Sequence, residues 1–197
     1  LSNLAHQNKV LWPLKPVHAI SSFYSIYNNI TDEFNPKDKN FINKEFGIKT
    51  LEMMKYITDH LISDCFIMDP IKTAEILSTT DDFYYSPYTY GFSNYSRENF
   101  RENILTYGNV MDLSNKGPNG THLGGTGIAI SNKSHHKDLA LEYSYWIAGA
   151  DCQKSIFYKS GGQPGNSIAW ENQQINDECN GFFDNTRLTL NQAWIRP

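Results

Sequence analysis

The chain has 197 residues and a formal net charge of −4, a length that allows one large domain or two small ones. Aromatic residues make up 14% of it and charged residues only 19%, so its surface suits stacking and hydrogen bonding better than electrostatic capture of a charged partner. The acidic balance argues against a nucleic-acid partner, which requires a basic surface. No apolar run reaches the ~20 residues that span a bilayer as a helix.

The first forty residues predict an extended stretch, a short helix and then a polar irregular segment. Pro13 and Pro16 fix φ and remove two backbone donors, so residues 12–17 should be extended. Apolar and aromatic residues recur at helical spacing over residues 18–28, which predicts a helix with an aromatic face. His18 is a candidate ligand contact, and the alternative is a partly buried histidine at a helix start.

Two amphipathic helices are predicted next. Residues 42–63 place apolar side chains near one face and lysine and glutamate largely opposite, with Met53 and Met54 as core filler rather than a metal site. Asp69 as N-cap and Pro70 at the first helical position begin the second helix.

An aromatic loop follows a strand-like run at residues 83–86. Residues 86–97 alternate aromatic side chains with Pro, Gly, Ser and Asn, and Tyr88 and Tyr90 lie near the start. One interpretation is a binding surface, in which rings take sugar or base faces and polar groups take hydroxyls. The alternative is a loop whose aromatic residues pack against its own domain. Another short strand is predicted at residues 104–107.

The stretch from Leu123 to Gln153 combines a glycine turn, an apolar run and an amphipathic helix. Residues 128–130 have the length of a short strand, and Ser134 is a candidate N-cap for a helix that should bury the face of Tyr143 and Trp146. The glycines precede the strand and no Lys-Ser/Thr pair follows, which argues against dinucleotide and P-loop fingerprints. They favour a tight turn and close approach to a ligand or a neighbouring strand.

The C-terminal part continues with helices and loops. A helical turn from Asp151 should stop at Gly161, a glycine loop containing Gln163 follows, and a last helix is predicted over residues 182–194. Because predicted strands are separated by helices along the whole chain, the predicted fold class is α/β.

The three cysteines, Cys65, Cys152 and Cys179, form no metal-binding motif. The sequence leaves two alternatives: one disulfide, between Cys152 and Cys179, or three inert buried thiols. No metal site and no cofactor site is predicted.

The sequence contains no catalytic set of specific spacing, since G-x-S-x-G, H-E-x-x-H and C-x-x-C are all absent. The adjacent His135 and His136 point to different faces and make a poor metal pair. Asp69, Asp81 and Asp82 offer carboxylates for a glycosidase pair, but N-capping and loop solvation explain them more simply. We therefore expect no catalytic residue and no enzyme activity.

Six segments, in order along nearly the whole chain, carry a family resemblance: WPLKPVHAISSFYSIYNN, FGIKTLEMMKYITDHL, DDFYYSPYTYGFSNYSR, LGGTGIAISNKSHHKDLALEYSYWIAG, SGGQPGNSIAW and FFDNTRLTLNQAWIRP. Together they resemble the C-terminal half of the extracytoplasmic solute-binding proteins of family 1, the carbohydrate-uptake ABC transporter type. The glycine turn with its helix and the SGGQP loop are the more specific parts.

The resemblance implies periplasmic-binding-protein-like (type II) lobes, each a mixed sheet flanked by helices, with a ligand in the cleft between them. Residues 1–100 and 151–197 would form the C-terminal lobe, and residues 101–150 would cross into the N-terminal lobe. Family members are about twice as long, so the chain would be a fragment, and strand edges left exposed would favour self-association.

A sugar-binding site is also implied, with seven candidate residues. They are the cleft aromatics Tyr88 and Tyr90, the cleft-edge residues Gly125 and Thr126, and the further candidates Trp12, His18 and Gln163. Flat apolar faces combined with a few fixed polar groups suit sugar recognition in a concave site.

The function implied is the substrate-binding component of an ABC importer, which captures a sugar or oligosaccharide and presents it to membrane permease subunits. Its location would be extracytoplasmic, either periplasmic or anchored at the cell surface. A carbohydrate-active enzyme of glycoside hydrolase type and a stand-alone α/β interaction module are the alternatives, because a fold does not by itself fix a function.

Overall fold

The computed structural model of the protein describes residues 1–31 and 41–194. Helices account for 51% of the chain and strands for 2%, and the described residues form no sheet. The predicted α/β class with a mixed sheet is therefore wrong, and so is the periplasmic-binding-protein fold. Strand pairing is reduced to two isolated parallel bridges, Val10 with Tyr85 and His122 with Trp194.

The described helices are α1 (Ser2–His6), α2 (Pro16–Ile30), α3 (Lys44–Thr58), α4 (Pro70–Thr79), α5 (Lys137–Ala148), α6 (Ala150–Cys152), α7 (Ser167–Trp170), α8 (Gln173–Glu178) and α9 (Phe182–Asn191). A π-helical turn at Gln153–Phe157 follows α6, and 3-10 turns lie at Ser63–Phe66 and Ser93–Ser96. None of the helices in the described part of the chain has the length and apolar character of a membrane span.

Local signals locate the starts of α2, α3 and α4. The Asp69 carboxylate accepts a hydrogen bond from the Lys72 N–H at 2.9 Å and Pro70 occupies the first position of α4, which confirms the predicted start. Asn43 caps α3 through its side-chain oxygen, so this helix begins two residues later than predicted and ends at Thr58. α2 begins at Pro16, because proline's fixed φ suits the first helical position.

The first core encloses the extended segment at residues 10–14 between the N-terminal helices. Leu11 N–H donates to the carbonyl of Tyr85 at 3.0 Å, and Leu14 N–H donates to that of Cys65 at 2.9 Å. These bonds satisfy backbone groups that the apolar side chains carry out of water. Buried side chains of this core are Ala5, Val10, Leu11, Trp12, Leu14, Ile26, Ile57, Cys65, Met68 and Tyr88.

Asn29 fastens the loop at residues 113–120 to the end of α2. Its side-chain oxygen accepts from the Leu113 N–H at 2.7 Å, and its amide nitrogen donates to the Asn119 carbonyl at 3.0 Å. Gly120 has φ of +92°, and a Cβ there would lie 2.6 Å from the Asn29 backbone nitrogen. Only glycine permits this approach of the loop to the helix.

The second core lies in the C-terminal helices and is built from Tyr158, Ala169, Ile175, Cys179, Phe182 and Phe183. Arg97 connects it to the aromatic loop. The guanidinium lies 4.0 Å from the centroid of the Tyr158 ring and donates to the Tyr158 carbonyl at 3.2 Å. α9 begins at Phe182, as predicted, and ends at Asn191, three residues earlier than predicted.

The predicted helix after the glycine turn exists as α5, but it contains no buried residue. Leu139 and Tyr143 are 65% and 53% exposed, so the predicted burial of this face is wrong. Residues 128–130 are not a strand, because no described segment lies alongside to complete a hydrogen-bonded ladder. The strand edges proposed for self-association are therefore absent from the described residues, and self-association itself stays a prediction.

The three cysteines are buried free thiols, so the structure favours that alternative over the Cys152–Cys179 disulfide. Burial raises the pKa of Cys65 and of Cys179, which makes these thiols poor nucleophiles at neutral pH. The irregular segment predicted at residues 32–40 and the last three residues lie outside the described part of the chain. The division into residues 1–100, 101–150 and 151–197 stays a prediction.

Candidate functional site

A cavity of about 510 Å³ is lined by residues of α2, α3 and the loops at residues 87–88 and 111–113. Ligand sites typically have volumes of ~300–1,000 Å³, so the cavity can take a small organic molecule. Trp12, Ile57 and Tyr88 form part of its floor, and each is 8% exposed or less. Trp12 lies on the extended N-terminal segment, and Tyr88 lies on the aromatic loop.

The rim of the cavity is polar and faces solvent. Lys49, Glu52 and Tyr56 line it from α3, where spacings of three and four residues place side chains on one helix face. All three are exposed, and the Tyr56 hydroxyl lies 2.9 Å from the Ser2 hydroxyl. These three are thus the charged and polar side chains that α3 contributes to a lining that is otherwise mainly apolar.

Trp12 and Tyr88 stack on each other, with ring centroids 6.0 Å apart and an interplanar angle of 29°. The Trp12 indole N–H donates to the Ser22 hydroxyl at 3.0 Å, which fixes the ring. The Tyr88 hydroxyl is buried and has no hydrogen-bond partner among the described residues. Burial, with a smaller contribution from Tyr85, raises the pKa of Tyr88 far above its ordinary value, so the phenol stays neutral.

Tyr90 belongs to a separate aromatic cluster and does not line the cavity. Its hydroxyl lies 2.5 Å from Nε2 of His122, and the His122 ring packs on Trp194 with centroids 5.7 Å apart. A Cβ on Gly124 would lie 2.8 Å from the Tyr90 ring, so glycine is needed for this contact. The sequence pattern predicted Tyr90 as a ligand contact. It did not indicate this cluster with His122 and Trp194, because the three residues come from distant segments.

Gly125 and Thr126 lie in an exposed segment and do not line the cavity. A Cβ added at Gly125 would meet no atom within 4 Å, so no close backbone approach requires glycine there among the described residues. The structure therefore does not bring these two candidates together with Trp12 and Tyr88.

Gln163 holds the aromatic loop in place. Its side-chain oxygen accepts from the Ser93 N–H at 2.7 Å, and its amide nitrogen donates to the Gly91 carbonyl at 3.3 Å. Asn94 adds a third bond by donating to the Gly161 carbonyl at 2.9 Å. Both polar ends of Gln163 are thus used internally, so it positions the aromatic loop, and its ligand contact stays a prediction.

His18 lies partly buried in the first turn of α2 and does not line the cavity. Burial lowers its pKa, Asp69 opposes that shift, and Lys15 adds to it. This arrangement fits the alternative of a partly buried histidine at a helix start.

Of the acidic residues considered for a glycosidase pair, Asp69 lies at one end of α4 and Asp81 and Asp82 lie beyond the other. Asp69 caps its N-terminus and Asp81 follows its C-terminus, and at ~1.5 Å per residue the ten-residue helix separates them by about 15 Å. A glycosidase pair needs carboxyl groups no more than ~9.5 Å apart. Among the described residues, no group of three or more His, Cys, Asp or Glu side chains is placed to hold a metal ion.

No protein-family model, curated protein or solved structure matches the chain. The candidate site is therefore defined by the stacked pair Trp12 and Tyr88, the apolar floor around them and the polar rim on α3.

Proposed function

We propose that this chain belongs to the sugar-binding subunit of an ABC importer and captures a sugar or oligosaccharide at the cavity beneath α3. The observation that carries the proposal is the cavity itself, which brings together Trp12 and Tyr88, two residues that the family resemblance assigned to the ligand. Membrane permease subunits as partners and an extracytoplasmic location belong to the same proposal.

The chemistry of the lining supports sugar capture. Aromatic side chains offer faces and edges to the C–H surface of a sugar, and a few placed polar groups orient the hydroxyls. Lys49 supplies three donors and Glu52 two acceptor oxygens at the rim.

Binding without hydrolysis also agrees with the lining. Glycoside hydrolysis ordinarily requires two carboxyl groups across the scissile bond, and Glu52 is the single carboxylate among the described residues that line this cavity. The glycoside hydrolase alternative therefore has less support than capture.

Calorimetric titration of the protein with a panel of mono- and oligosaccharides tests the proposal. The informative variant is Lys49→Met with Glu52→Gln, which removes both rim charges at nearly constant size. Lys44→Met with Glu45→Gln is the matched control, because it removes the same charges from the same helix at positions that do not line the cavity.

We expect at least one sugar to bind and the rim variant to weaken it about tenfold, as lost charge-assisted hydrogen bonds would. The control variant should bind like the wild type. An absence of binding to every sugar, or equal affinities in the two variants, would reject sugar capture at this rim.

A further inference from the structure

We propose, on the basis of the proposed function, that the ligand is a glycoside with an apolar aglycone, whose aglycone enters the floor while its sugar stays at the rim. This inference deepens the proposed function by naming the part of the ligand that each half of the cavity takes. It follows from the contrast between the buried apolar residues of the floor and the exposed polar side chains that α3 contributes to the rim.

The floor offers apolar surface and few hydrogen-bonding groups. Trp12, Ile26 and Ile57 are exposed by 2%, 3% and 8%. The Trp12 indole N–H is already used by the Ser22 hydroxyl. A free sugar in this space would meet the unpartnered Tyr88 hydroxyl but would leave most of its own hydroxyl groups without partners, which is unfavourable. An aryl or alkyl group has no hydroxyl to desolvate there and gains contact with Trp12 and Tyr88.

Apolar side chains from two loops complete the floor. Pro87, Met111 and Leu113 line the cavity, and each is at least partly buried. Met111 and Leu113 also pack against the first core. Methionine adapts its shape to a neighbour, so this part of the floor can pack against groups of different shape.

The rim provides what the floor lacks. The Lys49 ammonium and the Glu52 carboxylate are exposed and form no salt bridge within the part of the chain that the structure describes. The Tyr56 hydroxyl adds a group that both donates and accepts. A sugar ring held here keeps its outer hydroxyls in water while its inner hydroxyls meet protein groups.

Calorimetry with paired glycosides tests the assignment. For glucose, galactose, xylose and N-acetylglucosamine, the phenyl and the methyl glycoside are titrated separately, together with the free sugar and with phenol. For any sugar that binds, we expect the phenyl glycoside to bind at least about tenfold more tightly than the methyl glycoside.

Two substitutions of Met111 test whether the tighter binding of the phenyl glycoside depends on the floor. Met111→Trp fills the cavity, and Met111→Leu is the volume-conserving control. We expect Met111→Trp to remove the preference for the phenyl glycoside without changing the affinity for the methyl glycoside, and Met111→Leu to retain it. Leu113→Phe fills the same space from a neighbouring position and replaces Met111→Trp if that variant does not fold.

The outcomes separate the two proposals. Equal affinities for phenyl and methyl glycosides, or a preference that survives filling of the floor, would overturn the aglycone assignment while sugar capture stands. Binding of phenol without binding of any sugar or glycoside would overturn sugar capture, and the glycoside assignment with it.

Discussion

Removing a single oxygen from Tyr88 should make the ligand-free protein more stable. Its hydroxyl is buried and has no partner among the described residues, whereas its ring stacks on Trp12. A buried hydroxyl without a hydrogen bond costs about 1–3 kcal/mol. Tyr88→Phe removes that cost and keeps the ring contact, so we expect the free energy of unfolding to rise by about 1 kcal/mol.

Urea unfolding followed by circular dichroism measures this change, and calorimetry should show a melting temperature about 2–4 °C higher for a chain of this size. The matched control is Tyr27→Phe. The buried Tyr27 hydroxyl accepts a hydrogen bond from the Asn43 N–H at 2.8 Å, so its loss should destabilise by about 1–3 kcal/mol. Destabilisation by Tyr88→Phe similar to that of the control would show that the Tyr88 hydroxyl has a partner and would refute the reasoning.

Three further substitutions test individual side chains. The hydrogen bond from Arg101 lowers the pKa of Glu75 in the folded protein. The ionised carboxylate therefore contributes stability above pH 4.5 that should be lost as the pH falls through the folded pKa. Glu75→Gln should make the free energy of unfolding less dependent on pH in this acidic range. Gln163→Leu should lower the free energy of urea unfolding by about 1–3 kcal/mol because the buried Ser93 N–H loses its acceptor, and no loss would contradict the Gln163 contact. Leu139→Gln on α5 should change it by less than about 0.5 kcal/mol, since that side chain is 65% exposed, and a loss above 2 kcal/mol would show that the helix is buried.

The helices α2, α3, α4, α5 and α9 could be predicted because their signals are local, whereas the short helices α1, α7 and α8 were not predicted. The Asp69 cap and Pro70 act within one turn of the chain, and so does the Asn43 cap of α3, where the predicted start was two residues early. The spacing of apolar residues in α5 likewise predicted a helix. The same spacing could not show what covers that face, because burial depends on segments elsewhere in the chain.

The prediction of a sheet was wrong because strand pairing, like burial, depends on segments elsewhere in the chain. An apolar run such as residues 128–130 becomes a strand only when another strand supplies hydrogen bonds, and sequence composition does not reveal whether that partner exists. The resemblance to an α/β family implied neighbouring strands that the described residues do not contain. In the described residues, Tyr85 finds only an isolated bridge to Val10.

The candidate site was predicted in part. The alternation of aromatic and small polar residues indicated Tyr88 as a candidate ligand contact, and the family resemblance added Trp12. The contact between the two rings could not be predicted, because it depends on long-range packing. The rim of Lys49 and Glu52 was read as a solvated helix face, because the periodicity of α3 gives no sign of the cavity beneath it. Gln163 was predicted as a ligand contact, and the structure instead shows it bonded to the aromatic loop, an interaction that the sequence did not indicate.

The most direct test of sugar capture is the nuclear magnetic resonance signal of the Trp12 indole N–H during titration with the sugar or glycoside that binds most tightly. Ligand in the cavity should shift this signal, while the Trp146 indole signal on exposed α5 should stay in place. Assignment by Trp12→Phe and Trp146→Phe identifies both signals. A saturable shift at Trp12 alone is the predicted result, and a shift at Trp146 with Trp12 unmoved would contradict the account.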